Sequence, residues 1–177
     1  MKILLHTCCA PCLVYPLEHL SRKGIEVLPF FYNPNIYPMI EFQKRRQALV
    51  DFANKVNLDV AYPGYIPSEF NFAIGDKTVA PERCLSCWKL RLKATARAAR
   101  EQGINYFSTT LLVSPYQNQD ELRRLGEEAM KEEEGSIFYY EDFRPGFKKA
   151  HDKARALGLY CQKYCGCAFS EMEQSRK

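Results

Sequence analysis

Short apolar runs alternate with amphipathic stretches along almost the whole chain, and no other feature of the sequence limits the fold as much. Residues 2–6, 25–32, 58–62, 104–113 and 137–140 read as five strands. Residues 12–22, 41–56, 88–101, 120–134 and 147–157 carry helical patterning, and Gly24, Gly103, Gly135 and Gly158 stand where four of those helices end. Pro11 suits a first helical turn, whereas Pro16 should shorten or kink the same helix. The Pro/Gly-rich stretch 63–82 reads as a loop. Strands alternating with helices predict βαβ units with right-handed crossovers. The expected fold is therefore a single α/β domain: a Rossmann-like three-layer sandwich around a mostly parallel five-stranded sheet. With 177 residues the chain can build one such domain over 1–177, with segment 160–177 packing on the site. Sites in these sheets form beyond the carboxyl ends of the strands. Cys8, Cys9, Ser114 and Asp142 all fall there.

No apolar run approaches the roughly 20 residues of a membrane helix. The first six residues lead straight into Cys8-Cys9, without the long apolar stretch and small-residue cleavage site of a secretory signal. The expected location is the cytoplasm, with no membrane partner. That decides how the eight cysteines, at 8, 9, 12, 84, 87, 161, 165 and 167, are read. In a reducing compartment they point to metal binding or redox chemistry rather than to a disulfide framework.

Cys8-Cys9-Ala10-Pro11-Cys12 occupies a strand-to-helix turn. The positive end of the following helix favours thiolates there. Cys84-Leu85-Ser86-Cys87 is a C-x-x-C leading into a helix. Two ligands from each group make four thiolates, a set that fits tetrahedral zinc or a four-iron cluster. The vicinal pair, and a domain with a core of its own, favour the cluster. Cys165-Gly166-Cys167 can close a strained, easily reduced disulfide or bind a second metal. Cys161 stands apart from the three groups.

His6 ends the first strand and reads equally as a core histidine or a functional one. The polar, aromatic loop from Ser114 through Tyr116 to Asn118 either lines a pocket or caps a helix. Net charge is +4; residues 1–115 carry 14 Lys and Arg against 9 Asp and Glu, and residues 116–177 carry 11 against 12. Lys89, Lys93, Arg97 and Arg100 recur on one helical face that either meets phosphates or is simply solvated. The Glu132-Glu133-Glu134 run reads as solvated surface.

Taken together, His6-Thr7-Cys8-Cys9-Ala10-Pro11-Cys12, Cys84-x-x-Cys87-Trp88 with Arg91-Leu92, Thr109-Thr110-Leu111 with Ser114-Pro115-Tyr116-Gln117-Asn118, Asp142-Phe143-Arg144, and Tyr160, Gln162, Tyr164-Cys165-Gly166-Cys167 and Ser170 resemble the QueH-type epoxyqueuosine reductases. The blocks follow that family's order over nearly the whole chain. Cys161 departs from it, standing where the family usually has arginine, so no ligand role is carried onto it. The resemblance implies reduction of the epoxide of epoxyqueuosine to the alkene of queuosine at the wobble base of tRNA. It implies a [4Fe–4S] cluster, an additional mononuclear iron, no cobalamin, and an external electron donor. Carried onto this chain, Cys8, Cys9, Cys84 and Cys87 become cluster ligands, and Cys165 and Cys167 the redox pair. Cys12 either replaces one cluster ligand or holds the additional iron. His6, Asp142, Tyr116 and Tyr164 are the candidate proton donors, and Tyr116 and Tyr164 can also stack on the base.

Two other functions fit parts of the pattern. One is an iron–sulfur enzyme of nucleobase desulfuration or sulfur transfer. The other is a zinc-stabilised RNA-binding module.

Overall fold

The computed structural model describes residues 1–175. Four strands form one parallel sheet: β1 (Lys2–His6), β2 (Glu26–Phe30), β3 (Tyr106–Thr109) and β4 (Ile137–Phe138), in the order β2-β1-β3-β4. Ile3, Leu4, Leu5 and His6 are all fully buried, as a central parallel strand covered on both faces requires.

Among the described residues seven α-helices accompany the sheet: α1 (Ala10–Arg22), α2 (Met39–Val56), α3 (Pro67–Ile74), α4 (Glu82–Glu101), α5 (Gln119–Glu132), α6 (Phe147–Ala156) and α7 (Ala168–Ser175). Helix α1 packs on α6; α4 packs on α5, β1 and β3. The α/β class and the parallel sheet are as expected, but the sheet has four strands rather than five. Residues 58–62 make a single bridge, Phe30 to Ala61, held by Phe31 N–H to the Ala61 carbonyl and Ala61 N–H to the Pro29 carbonyl, both at 2.9 Å. Pro63, two residues on, has no N–H with which to extend the ladder. The expected strand over 104–113 is also shorter, because Thr110–Val113 turns into a 3₁₀ helix.

Three helical boundaries differ from expectation for local reasons. Helix α1 starts at Ala10 and continues through Pro16. Pro16 has no N–H to give the Cys12 carbonyl, yet the helix holds because its inner face is buried at Leu13, Val14 and Leu20. Helix α3 lies inside the stretch expected to be a loop, with Pro67 in its first turn and Phe70 and Ile74 buried. Helix α4 begins at Glu82, so Cys84 and Cys87 sit one turn apart on a helix rather than on a knuckle before it.

Crossovers from the sheet centre run outward to β2 on one side and to β3 and β4 on the other. The switch point lies between the carboxyl ends of β1 and β3, where doubly wound folds open their ligand crevice. Packing along the far edge is tight: a Cβ on Gly126 of α5 would stand 2.3 Å from the Phe138 ring. Gly126→Ala should therefore cost about 1–3 kcal/mol of stability. Gly64→Ala, with open space around its position, should stay within about 0.5 kcal/mol of the parent. Urea unfolding of both variants checks this.

Candidate metal and redox site

Strand β1 delivers the first cysteine group directly to the switch point. Its last rung pairs His6 with Phe30 on one side and with Thr109 on the other. His6 Nε2 lies 3.1 Å from the Tyr32 carbonyl, which can only accept, so Nε2 carries the ring proton. His6 Nδ1 is then the acceptor for the Thr109 hydroxyl at 2.8 Å, and that hydroxyl oxygen accepts the Leu111 N–H at 3.1 Å. Burial, followed by the Arg91 charge, lowers the His6 pKa to about 3, so the ring is neutral.

The turn after His6 is held from three directions. Thr7 N–H donates to the Phe30 carbonyl, Asn33 Nδ2 donates to the Thr7 carbonyl at 2.9 Å, and Cys8 N–H donates to Thr110 Oγ1 at 3.1 Å. Cys9 is the N-cap residue of α1. The sulfurs of Cys8, Cys9 and Cys12 all lie within 4.8 Å of one another. The Cys12 and Cys9 thiols and the Thr110 hydroxyl donate toward Cys8 and hold it well below the usual thiol range. Those same bonds raise Cys12, and burial raises Cys9. Gln162 Nε2 donates to Cys9 Sγ at 2.9 Å and reaches Cys12 Sγ at 3.9 Å.

A second sulfur group faces the first. Cys87 and Cys167 pack with Phe70 and Ile74 in a small separate core. Burial pushes the Cys87 thiol up to about 12, with Cys165, Cys167 and Cys84 all close enough to add to the rise. Cys165 reaches solvent, although enough protein surrounds its thiol to raise it. The Ser170 N–H and hydroxyl hold Cys167 Sγ at 3.4 and 3.5 Å. Cys84 and Cys87 do not join the compact Cys8–Cys9–Cys12 trio; they lie with the C-terminal pair.

Between the groups stands Arg91, 1% exposed. Its Nε donates to the Cys87 carbonyl at 3.3 Å, and its Nη2 has no partner among the described residues. The thiols of Cys87, Cys165 and Cys8 are its titratable neighbours. A buried guanidinium coupled electrostatically to cysteines of both groups suits an anionic, sulfur-rich centre. Convergent thiols are also the donors that soft metals, iron and zinc among them, select. The residues therefore fit a thiolate-held metal.

The C-terminal segment is clamped in place by groups that sequence reasoning did not single out. Arg45, 1% exposed, donates to the Glu41 carboxylate at 2.8 Å, to the Cys165 carbonyl at 2.9 Å and to the Tyr164 carbonyl at 3.0 Å. The Tyr160 hydroxyl donates to the other Glu41 oxygen at 2.6 Å. Arg83 grips the Glu173 carboxylate with two nitrogens, at 2.8 and 3.0 Å. Gly166, at φ +143°, passes so close to Asn35, Ile36 and Arg45 that a Cβ there would meet each within 3.2 Å. Glu41 and Arg45 carry the i,i+4 spacing of a helical ion pair and Arg83 adjoins Cys84, but neither pattern reports burial.

The other candidates are more dispersed. Asp142 lies past β4, where its carboxylate takes two nitrogens of Arg144, at 2.9 and 2.7 Å, and is lowered by them. Tyr116 is 84% exposed and meets the Phe147 ring edge-on. The Tyr164 hydroxyl donates to the Tyr37 carbonyl, and burial raises its pKa to about 12. Cys161 donates to the Leu159 carbonyl at 3.5 Å.

A doubly wound α/β fold with clustered thiols at its switch point defines a thiol-centred metal or redox protein. The comparisons are more specific. The family model for epoxyqueuosine reductase QueH matches residues 3–173. The chain is 37% identical to the epoxyqueuosine reductase QueH of Thermotoga maritima, over 99% of this chain and 93% of that protein. It is 35% identical to the one from Dehalococcoides mccartyi, over 99% and 96%, and 35% identical to the one from Staphylococcus epidermidis, over 98% and 77%. The chain belongs to the QueH epoxyqueuosine reductase family, and so to a family of oxidoreductases.

Replacing Thr109 by Val would leave His6 Nδ1 buried without a donor. The expected cost is about 1–3 kcal/mol. Thr109→Ser keeps the hydroxyl and should stay near the parent. Chemical denaturation of the two variants measures the difference.

Proposed function

We propose that this chain is a cytoplasmic epoxyqueuosine reductase that converts the epoxide of epoxyqueuosine in tRNA to the alkene of queuosine. The convergence of two chain-distant thiol groups on buried Arg91 supports this reading most strongly. In it, Cys8, Cys9, Cys84 and Cys87 hold a [4Fe–4S] cluster. Cys12, with its sulfur among those of Cys8 and Cys9, either replaces one of that adjacent pair on the cluster or binds an additional iron; no cobalamin takes part. The bound cluster supplies electrons one at a time.

The reaction removes the epoxide oxygen as water, which consumes two electrons and two protons. Oxidation of two thiols to one disulfide yields both, so Cys165 and Cys167 balance one turnover, and an external donor restores the dithiol. The exposure of Cys165 suits exchange with such a donor, while Ser170 fixes Cys167. Tyr164 is the candidate proton donor carried by the thiol-bearing segment itself: it precedes Cys165 in the chain, and its phenol keeps its proton at neutral pH. Neutral His6, with both ring nitrogens engaged, acts as a positioning residue for the cysteine turn. Asp142 is held by Arg144, and Tyr116 is free to stack on an unpaired base.

Incubating anaerobically purified protein with epoxyqueuosine-bearing tRNA and a chemical reductant should yield queuosine. Thiolated tRNA should be returned unchanged. Cys165→Ser with Cys167→Ser should lower turnover by about 100-fold or more, and Cys84→Ala with Cys87→Ala should lose iron as well. Full iron content and turnover in that second pair would overturn the ligand assignment. A colourless, zinc-only protein would overturn the reading as a whole.

A further inference from the structure

The basic residues fall into two classes that the sequence does not distinguish. The helical face that the sequence leaves open between phosphate contact and plain solvation is already neutralised by α5 and the turn after it. Lys89 pairs with Glu128 and Glu132 at 3.4 and 2.9 Å, Lys93 with Glu132 at 2.7 Å, and Arg97 and Arg100 with Glu133 at 2.6 and 3.8 Å. A phosphate approaching there has to displace carboxylates.

On α2 the situation is the reverse. Lys44 and Arg46 make no ion pair among the described residues. Lys44 lies over the Tyr160 ring at 5.8 Å and Arg46 over the Tyr62 ring at 4.8 Å. A ring face orients a cation without cancelling its charge. With Gln43 and Gln47 they line a shallow depression of about 410 Å³; the Gln47 amide donates to Asp51 at 2.8 Å and marks its far end. Lys163, also without an ion pair among the described residues, is exposed in the thiol-bearing segment. Tyr37, 56% exposed, stands at the entry to α2, and its carbonyl accepts the Tyr164 hydroxyl.

This face is directly connected to the candidate site. Arg45, between Lys44 and Arg46, points inward and binds the carbonyls of Tyr164 and Cys165. Tyr160 binds Glu41, one turn earlier. The outer side of one helical turn thus carries free cations while its inner side anchors the redox segment.

We propose that the outer face of α2 at Gln43, Lys44, Arg46 and Gln47, continued by Lys163, seats the phosphate backbone of the anticodon arm, with Tyr37 as a stacking ring beside the mouth of the site. The inference rests on the tRNA reading above and adds which surface receives the RNA. Unpaired cations release their counterions to phosphate directly, glutamine amides donate to phosphate oxygens, and an exposed ring takes an unstacked loop base. The paired face of α4 contributes little.

Fluorescence anisotropy with epoxyqueuosine-bearing tRNA, titrated at several salt concentrations, tests this with two charge-matched double variants. Lys44→Gln with Arg46→Gln should weaken binding by about 10-fold or more near 0.1 M salt and reduce the salt slope by about 2. Lys89→Gln with Lys93→Gln should change binding by less than about 3-fold. Circular dichroism and iron content identify any variant that fails to fold, and single Lys44→Gln and Arg46→Gln variants then replace the double one. Parental affinity in the α2 variants, or an equal loss in the α4 variant, overturns the assignment. Turnover of tRNA-borne epoxyqueuosine by the parent protein separates the two claims: with turnover, such a result rejects the surface alone. Without turnover or tRNA binding by the parent, both claims fall.

Discussion

Everything at this site depends on the last rung of the sheet, where His6 lies between Phe30 and Thr109. Parallel pairing brings the exits of β1, β2 and β3 to one place, and each exit contributes something different. The first supplies the cysteine turn, the second supplies the Tyr32 carbonyl and Asn33, and the third supplies the Thr109 and Thr110 hydroxyls. The fully buried histidine joins all three through its two ring nitrogens. Vicinal cysteines on a regular strand would point to opposite faces; on this pinned turn they converge with Cys12.

Buried guanidinium groups do the remaining assembly. Arg45 holds the C-terminal segment over the first thiol group, Arg83 holds α7 through Glu173, and Arg91 stands between the two sulfur sets. Each would be costly in an apolar interior without anionic or carbonyl partners, and truncating one partner of a buried ion pair such as Arg45–Glu41 typically costs about 3–5 kcal/mol. Arg45 and Arg83 have carboxylates. Arg91 has thiols instead, which links its burial to the chemistry of the sulfur centre.

Much of the fold was legible because period and punctuation agree: apolar runs ending at glycine or at the cysteine turn gave the α/β class and the parallel sheet. Residues 58–62 misled because a run of strand-like composition says nothing about the proline beyond it. Helix α3 was hidden by the surrounding prolines and glycines, although Phe70 and Ile74 carry the i,i+4 spacing of a buried face. At the site, the cysteine motifs announced themselves by residue type. The grouping of Cys84 and Cys87 with Cys165 and Cys167 did not, because it depends on contacts about 80 residues apart in the chain. Arg45 was unreadable for the same reason: its partners Tyr164 and Cys165 lie 119 and 120 residues away. Likewise the basic face of α4 looked available only because its acidic neighbours on α5 were not visible as neighbours.

The central claim is that the cysteine turn after β1 and the cysteines of α4 together hold iron against Arg91, beside the redox pair of the C-terminal segment. Anomalous diffraction from anaerobically grown crystals, recorded on both sides of the iron and zinc edges, tests it directly. The account predicts iron-edge peaks within bonding distance of the Cys8 and Cys9 sulfurs and of the Cys84 and Cys87 sulfurs. Zinc-edge signal alone, or iron remote from these sulfurs, would contradict it.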